Sequence, residues 1–127
     1  MIKKILNLFS STIYVKVYKN KISAKNIETN TEITSDAIEP FTTTRLLVGD
    51  FINAENLLRN TLQKAGKNKF SSPVVVIQPM EMMEGGLSEV ETRVLRELAN
   101  GAGARKAAVW TGEELSDEEV IQRVKDI

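Results

Sequence analysis

The chain of 127 residues carries 17 basic and 17 acidic side chains and contains no cysteine and no histidine. Its length predicts a single domain over residues 1–127 that buries a core of its own. The missing residue types exclude disulfides, serine–histidine and cysteine–histidine nucleophile systems, and histidine-ligated metal sites. An enzyme of this composition would depend on carboxylates, lysine, tyrosine or backbone groups.

The charges are distributed unevenly along the chain. Residues 1–27 contain six lysines and no acid, whereas five acids lie within residues 113–119. Such polarity favours head-to-tail self-contact or an anionic partner for the basic end, although two solvated surfaces are the commoner explanation. No run of residues approaches the roughly 20 apolar positions that a membrane-spanning helix needs.

The first predicted elements are strands. The run KILNLF at 4–9 is typical of a short buried strand, and TIYVKVY at 12–18 alternates β-branched or aromatic residues with lysine. A tight turn at Lys19-Asn20 and continued alternation predict a hairpin over 12–28. We expect residues 4–9 to form a strand beside this hairpin.

A weakly patterned segment and a helix come next. Residues 29–44 are rich in threonine, and Pro40 predicts that no regular element continues through them. Apolar residues at helical spacing then predict a helix that begins after Asn53, whose side chain would cap the first turn. The helix should end at Ala65, with Gly66 closing it in the left-handed conformation.

The second half of the chain alternates strand and helix. PVVVIQP at 73–79 predicts a strand buried on both faces, and MEMMEGGL at 80–87 predicts a loop. Ser88 and Glu91 form the capping-box pattern of a following helix, with Glu89 expected to pair with Arg93 on its outer face. The predicted inward stripe of that helix consists of Val90, Val94, Leu95 and Leu98.

The glycines of NGAGAR follow this helix and precede the strand KAAVW at 106–110. A phosphate-binding loop needs the reverse order, strand, glycines and helix N-terminus, so Gly101 and Gly103 are expected to close a helix. Ser116 and Glu119 predict one more capped helix. The order of elements predicts an α/β fold whose mixed sheet is mostly parallel.

Four segments together resemble the first subdomain of the bacterial rod-shape actins, the MreB family. They are EPF at 39–41, LLVGDFINAENLLR at 46–59, PVVVIQP at 73–79 and LSEVETRVLRELANGAGARKAAVW at 87–110. The resemblance implies a ribonuclease H-like, actin-like fold and a role in the cytoskeleton or in cell shape. In that family this subdomain contributes filament and membrane contacts.

The family's nucleotide motifs are degenerate in this sequence. Its first phosphate loop is an Asp-x-Gly-Thr turn, whereas the matching residues 7–12 lack both the aspartate and the glycine. Its catalytic Glu-Glu-Pro follows the GAGAR strand directly, whereas Glu113 and Glu114 come late and no proline follows. These departures from the family's motifs therefore predict no catalysis, no nucleotide, no metal and no other cofactor.

We therefore expect a non-catalytic interaction module in the cytoplasm, at or near the inner membrane. Its partner would be a protein, either a full-length actin-like homologue or another copy of the chain. Three candidate surfaces are the 80–86 loop, the acidic 113–119 segment and the basic hairpin. The candidate residues are Met80, Met82, Met83, Trp110, Glu113, Glu114, Lys16 and Lys19.

Two alternatives concern other function classes. An enzyme, or a protein that still binds ATP, would use Asp50 with Glu113 or Glu114, although helix capping and an acidic solvated surface explain these carboxylates more simply. Nucleic-acid binding would use Tyr14 and Tyr18 as stacking platforms among the lysines. The zero net charge, and the expectation that these lysines are the wet side of a strand, argue against nucleic acid.

The last alternative concerns a membrane surface. If MIKKILNLF is helical, its apolar side chains share one face and Lys3, Lys4 and Asn7 lie elsewhere, as in a helix that lies on an anionic bilayer. The apolar side chains are Ile2, Ile5, Leu6 and Phe9. Such a contact would be weak, and the strand expected at 4–9 competes with it.

Overall fold

The computed structural model describes residues 11–66 and 72–127. Its elements are β1 (Thr12–Tyr18), β2 (Lys21–Asn26), β3 (Thr31–Asp36), α1 (Phe51–Ala65), β4 (Val74–Pro79), α2 (Glu89–Gly101), β5 (Lys106–Val109) and α3 (Asp117–Lys125). The strand expected at 4–9 lies outside the described residues.

The strands form one open five-stranded sheet with the order β3-β2-β1-β4-β5. β1 pairs with β2 and β2 with β3 in the antiparallel sense, whereas β1 pairs with β4 and β4 with β5 in the parallel sense. The fold is therefore α/β with a mixed sheet, as expected. The expectation of a mostly parallel sheet is not confirmed, because two of these four pairings are antiparallel.

The additional antiparallel pairing comes from β3, which lies in the segment expected to be irregular. β3 is an edge strand that places Ala24 of β2 opposite Ile33, and Ile33 is its main apolar contact with the core. Most other β3 side chains are exposed. An edge strand that buries so little has weak hydrophobic alternation, and the threonines were its only β signal. Pro40 follows the strand and does not interrupt it.

β1 lies at the centre of the sheet with both of its edges paired. The hairpin partner β2 occupies one edge, and β4 occupies the other with Thr12 opposite Val74 and Val17 opposite Pro79. The parallel strands therefore join the hairpin directly.

Helix α1 begins three residues earlier than expected. The carboxylate of Asp50 accepts a hydrogen bond from the backbone N–H of Asn53 at 3.0 Å, so Asp50 is the capping residue and Asn53 already belongs to the helix. The Asn53 side chain donates to the carbonyl of Pro40 at 3.1 Å. Gly66 has φ −75° and extended backbone, so the left-handed closure expected there is wrong.

Both capping boxes are confirmed, at Ser88–Glu91 and at Ser116–Glu119. Gly103 turns the chain after α2 with φ +117°, which agrees with the structural role expected for the glycines. Two details of α2 differ from expectation. Arg93 pairs with Glu97 at 3.0 Å and not with Glu89, and Val90 is 73% exposed although it was expected to face the core.

The two faces of the sheet are covered differently. Helices α1 and α2 cover the main face, where alternate residues of β1, β2 and β4 form the large apolar core. The single short helix α3 covers part of the second face, with a small cluster of Tyr14, Val76, Leu115 and Val120. The burial of every residue in β4 follows from its position under both layers.

Candidate functional site

The basic hairpin and the acidic segment contact each other on the second face of the sheet. The Lys16 ammonium lies 3.5 Å from the Glu114 carboxylate, and the Lys25 ammonium lies 3.0 Å from Asp117. The Lys16 side chain is only 13% exposed, so the expectation that this lysine lies on the wet side of the strand is wrong. The head-to-tail charge complementarity of the sequence is thus satisfied within one chain.

A buried polar network holds the same segment against the sheet. The Tyr14 hydroxyl donates to the side-chain oxygen of Gln78 and accepts from the backbone N–H of Leu115 at 3.1 Å. The Gln78 amide donates in turn to the carbonyl of Gly112 at 2.8 Å. Burial raises the pKa of the Tyr14 phenol above its usual range. Because Tyr14 is 3% exposed, the stacking role considered for it with nucleic acid is wrong.

Trp110 covers the edge of the small cluster on this face. Its indole N–H donates to the Glu113 carbonyl at 2.9 Å, and the Arg123 guanidinium lies 4.4 Å from the centre of its ring. The ring and the indole N–H of Trp110, the two groups with which it could contact a partner, are thus both engaged by residues of its own chain. Glu113 itself keeps an exposed side chain.

The carboxylates considered for an enzyme lie on opposite sides of the sheet. Asp50 caps α1 on the main face, whereas Glu114 pairs with Lys16 on the second face. The sheet therefore separates Asp50 from Glu114. Within residues 11–66 and 72–127, no cluster of three acidic side chains is placed to hold a metal ion.

The third candidate surface, the 80–86 loop, forms one wall of an apolar cavity at the rim of the main face. The other walls are the turn at Leu46–Val48 and the first half of α2. We call this cavity the methionine pocket, and its volume is about 80 Å³. Its main apolar lining is Leu46, Val48, Met82, Met83, Val90 and Val94.

Backbone contacts fix the loop that carries the methionines. The Met80 N–H donates to the Val17 carbonyl at 2.8 Å, and the Lys19 N–H donates to the Glu81 carboxylate at 2.6 Å. Met80 and Lys19 therefore anchor the base of the loop to the hairpin. Gly85 and Gly86, with φ of 81° and 87°, supply the left-handed conformations that turn the chain back towards α2.

The pocket combines exposed apolar atoms with negative charge. Val90 is 73% exposed and Leu46 is 44% exposed at its rim. Residues 80–91 contain four glutamates and no lysine or arginine. Exposed apolar surface with a polar rim is typical of protein interaction sites.

No protein-family model matches this sequence. The chain is similar to the uncharacterized protein YjaA of Escherichia coli strain K12, with 34% identity over 103 residues that cover 76% of this chain and 80% of the relative. The chain belongs to the YjaA family. The name of that relative states no activity, so the resemblance to the rod-shape actins stays a prediction.

Sequence reasoning found one wall of the pocket and missed two. The methionines of the 80–86 loop were candidates, but Val90 was assigned to the core and Leu46–Val48 were not singled out as contact residues. A signal existed in both places: three apolar residues in a turn, and a valine between two glutamates in the first turn of a helix.

Concerning membranes, none of the helices within the described ranges is long and apolar enough to cross one.

Proposed function

We propose that this member of the YjaA family is a non-catalytic interaction module that binds a protein partner through the methionine pocket. The observation that carries the proposal is the pocket itself, an apolar cavity open to solvent between three separate segments. Loops positioned on a rigid sheet are where binding residues concentrate. Methionines suit such a site because their flexible side chains adapt to an inserted group.

The size of the pocket favours a side chain over a small molecule. Its volume of about 80 Å³ is well above the roughly 30 Å³ of one water molecule and near half of the roughly 150 Å³ apolar cavity that accepts benzene. One aliphatic side chain fits this space.

The charge around the pocket favours a basic partner. Glu84 and Glu89 have exposed side chains and adjoin the lining residues Met83 and Val90 in sequence. Glu81 and Glu91 are held by backbone N–H groups. A partner segment with an aliphatic anchor between lysines or arginines complements both features. Such a segment would bind more slowly and more weakly at high salt.

The absence of catalysis is part of the proposal and rests on the groups that an enzyme of this composition would use. Asp50 caps a helix, Glu114 is paired with Lys16, and the Tyr14 phenol is hydrogen-bonded and held protonated by burial. These engagements give Asp50, Glu114 and Tyr14 structural roles, whereas the Glu113 side chain is exposed.

The cellular setting of the proposal comes from the resemblance to the rod-shape actins. We infer an actin-like, ribonuclease H-like subdomain that acts in the cytoplasm, or at the inner membrane, on the bacterial cytoskeleton or cell shape. Supporting features are the hairpin and the following helix, strand, helix and strand at the positions of the family's motifs. A full-length actin-like homologue with a basic, aliphatic surface segment is the partner class to test first.

The test uses two synthetic peptides with the same central leucines, one flanked by lysines and the other by glutamates. Isothermal titration calorimetry with the full chain should show binding of the lysine peptide and at least about tenfold weaker binding of the glutamate peptide, a difference of about 1.4 kcal/mol. Equal affinities, or no binding of either peptide, would contradict the proposed site.

A further inference from the structure

We propose that the segment bound in the methionine pocket is residues 1–9 of a second copy of this chain. This inference rests on the proposed function and names the partner of the same site. MIKKILNLF supplies aliphatic anchors, two lysines and no acid. It therefore has the composition that the pocket and its glutamates select, within the same sequence.

Two of the five acids in the other acidic surface, residues 113–119, are already paired with lysines. Glu114 and Asp117 face Lys16 and Lys25 of their own chain. In contrast, none of the four glutamates in residues 80–91 takes part in an ion pair within residues 11–66 and 72–127. The exposed carboxylates of Glu84 and Glu89 are thus available to the N-terminal lysines.

Chain reach favours a second copy over the same copy. The pocket lies at the Pro79 end of β4, and Ser11 lies beyond the opposite end of β1, where Thr12 is opposite Val74. Six residues of strand separate the two levels, a distance of about 20 Å. Leu6 is five residues before Ser11 and reaches at most about 18 Å when fully extended, and Phe9 reaches about 7 Å.

Within one copy, then, only residues before Leu6 could reach the pocket, and only with the chain between them and Ser11 fully extended. A second copy has no such limit. It can present Ile5, Leu6 and the two lysines together. If each copy binds the N-terminal segment of the other, the contact closes on itself as a two-fold dimer.

The absence of cysteine permits a direct test in the full chain. A nitroxide spin label is placed at Asn7→Cys, outside the proposed apolar face, in protein without isotope label. This protein is mixed with native chain labelled with 15N, so that any paramagnetic broadening is intermolecular. We expect loss of most of the amide signal at residues 46–48 and 82–95 of the native copy, with a diamagnetic label as control.

Charge exchange makes the test independent of folding defects. Lys3→Glu with Lys4→Glu in the spin-labelled copy should remove the broadening, and so should Glu84→Lys with Glu89→Lys in the 15N copy. Mixing the two variants should restore it. Failure of the mixed variants to restore the broadening would overturn the proposal.

Two further outcomes separate this inference from the proposed function. If the lysine-flanked peptide binds the pocket but native mixtures show no broadening there, the inference is wrong and the docking site stands. If neither signal appears, both are wrong. Broadening that appears only on other surfaces of the 15N copy would also overturn the inference.

Discussion

The two faces of the sheet show two different ways of holding a layer in place. On the main face, α1 and α2 cover fully buried aliphatic residues from three strands. On the second face, the nine-residue α3 covers four buried residues and is held as well by a tyrosine–glutamine network and two ion pairs. Apolar burial dominates the first face, whereas polar contacts carry much of the second.

Because their contacts differ, we expect the two layers to differ in local stability. Apolar contacts are insensitive to pH and salt, whereas exposed ion pairs are weak and screened. We therefore expect the segment from Trp110 to the end of α3 to open at lower free energy than the main core. The methionine pocket lies at the rim of the stable face, where a rigid frame positions it.

The largest expected effect compares one leucine from each face. Leu98→Ala on the main face should lower the free energy of unfolding by an amount in the upper part of about 2–5 kcal/mol, and Leu115→Ala by about 2 kcal/mol or less, because the smaller layer relaxes around the cavity more easily. Leu98 is 0% exposed and Leu115 is 7% exposed. Urea unfolding monitored by circular dichroism measures both. Equal losses would contradict the contrast between the faces.

The polar network gives the next effect. Tyr14→Phe should cost about 1–3 kcal/mol, because it leaves the Leu115 N–H and the Gln78 side-chain oxygen without the partner they share. Tyr18→Phe on the same strand and face is the matched control, and its cost should lie within about 0.5 kcal/mol of zero. Similar values for the two tyrosines would show that the network adds no stability.

The same tyrosine predicts a pH dependence. Its pKa is raised in the folded chain, so its contribution to stability is complete below the unfolded value of about 10 and is lost as pH rises through the folded value. Unfolding titrations above pH 10 should therefore show a steeper loss of stability for the native chain than for Tyr14→Phe. Parallel curves would contradict the raised pKa.

The pocket is tested by a pair of substitutions at equivalent helix positions. Val90 and Ile52 are both the second residue of their helices and both largely exposed. Val90→Asn should weaken binding of the lysine-flanked peptide at least about tenfold, or about 1.4 kcal/mol. Ile52→Asn, outside the pocket, should leave affinity unchanged, and an equal loss would show that the effect is not specific to the pocket.

The smallest effect concerns one ion pair across the second face. Asp117→Asn should cost about 0.2–1 kcal/mol at low salt, with most of the loss removed by high salt. Glu118→Gln is the control, since it removes a negative charge from the same first turn of the helix. The difference between the two variants therefore excludes the favourable interaction of an acid with the helix dipole. If Glu118→Gln lowered the free energy of unfolding more than Asp117→Asn, the Lys25–Asp117 ion pair would not contribute to holding α3.

Local signals predicted much of this fold and long-range ones did not. Short stretches of sequence were enough to predict several elements, because the residues within each stretch determine its local structure. These elements are the hairpin, the buried β4, both capping boxes and the Gly103 turn. β3 was not predicted because an edge strand buries few side chains and so needs little alternation of apolar and polar residues. The position of β1 between β2 and β4 depends on the pairing of β1 with β4, whose residues lie about 60 positions apart in sequence. A local sequence pattern cannot predict such a pairing.

The candidate site shows the same limit. The methionine loop was identified from its composition, but the pocket exists only because three segments converge on it. Val90 sits at the correct helical phase for the core, yet the first turn of α2 borders the pocket and Leu95 and Leu98 reach the core further along. The pairing of Lys16 with Glu114 was foreseen only as a general charge complementarity.

The most direct test is amide chemical-shift mapping of the 15N-labelled full chain, first with Mg-ATP and then with the lysine-flanked peptide. A nucleotide-free module predicts no shifts with Mg-ATP at millimolar concentration, followed by peptide-induced shifts at residues 46–48 and 80–95. Shifts at residues 110–116 with Mg-ATP, with the pocket silent towards the peptide, would contradict the account and indicate a retained nucleotide face.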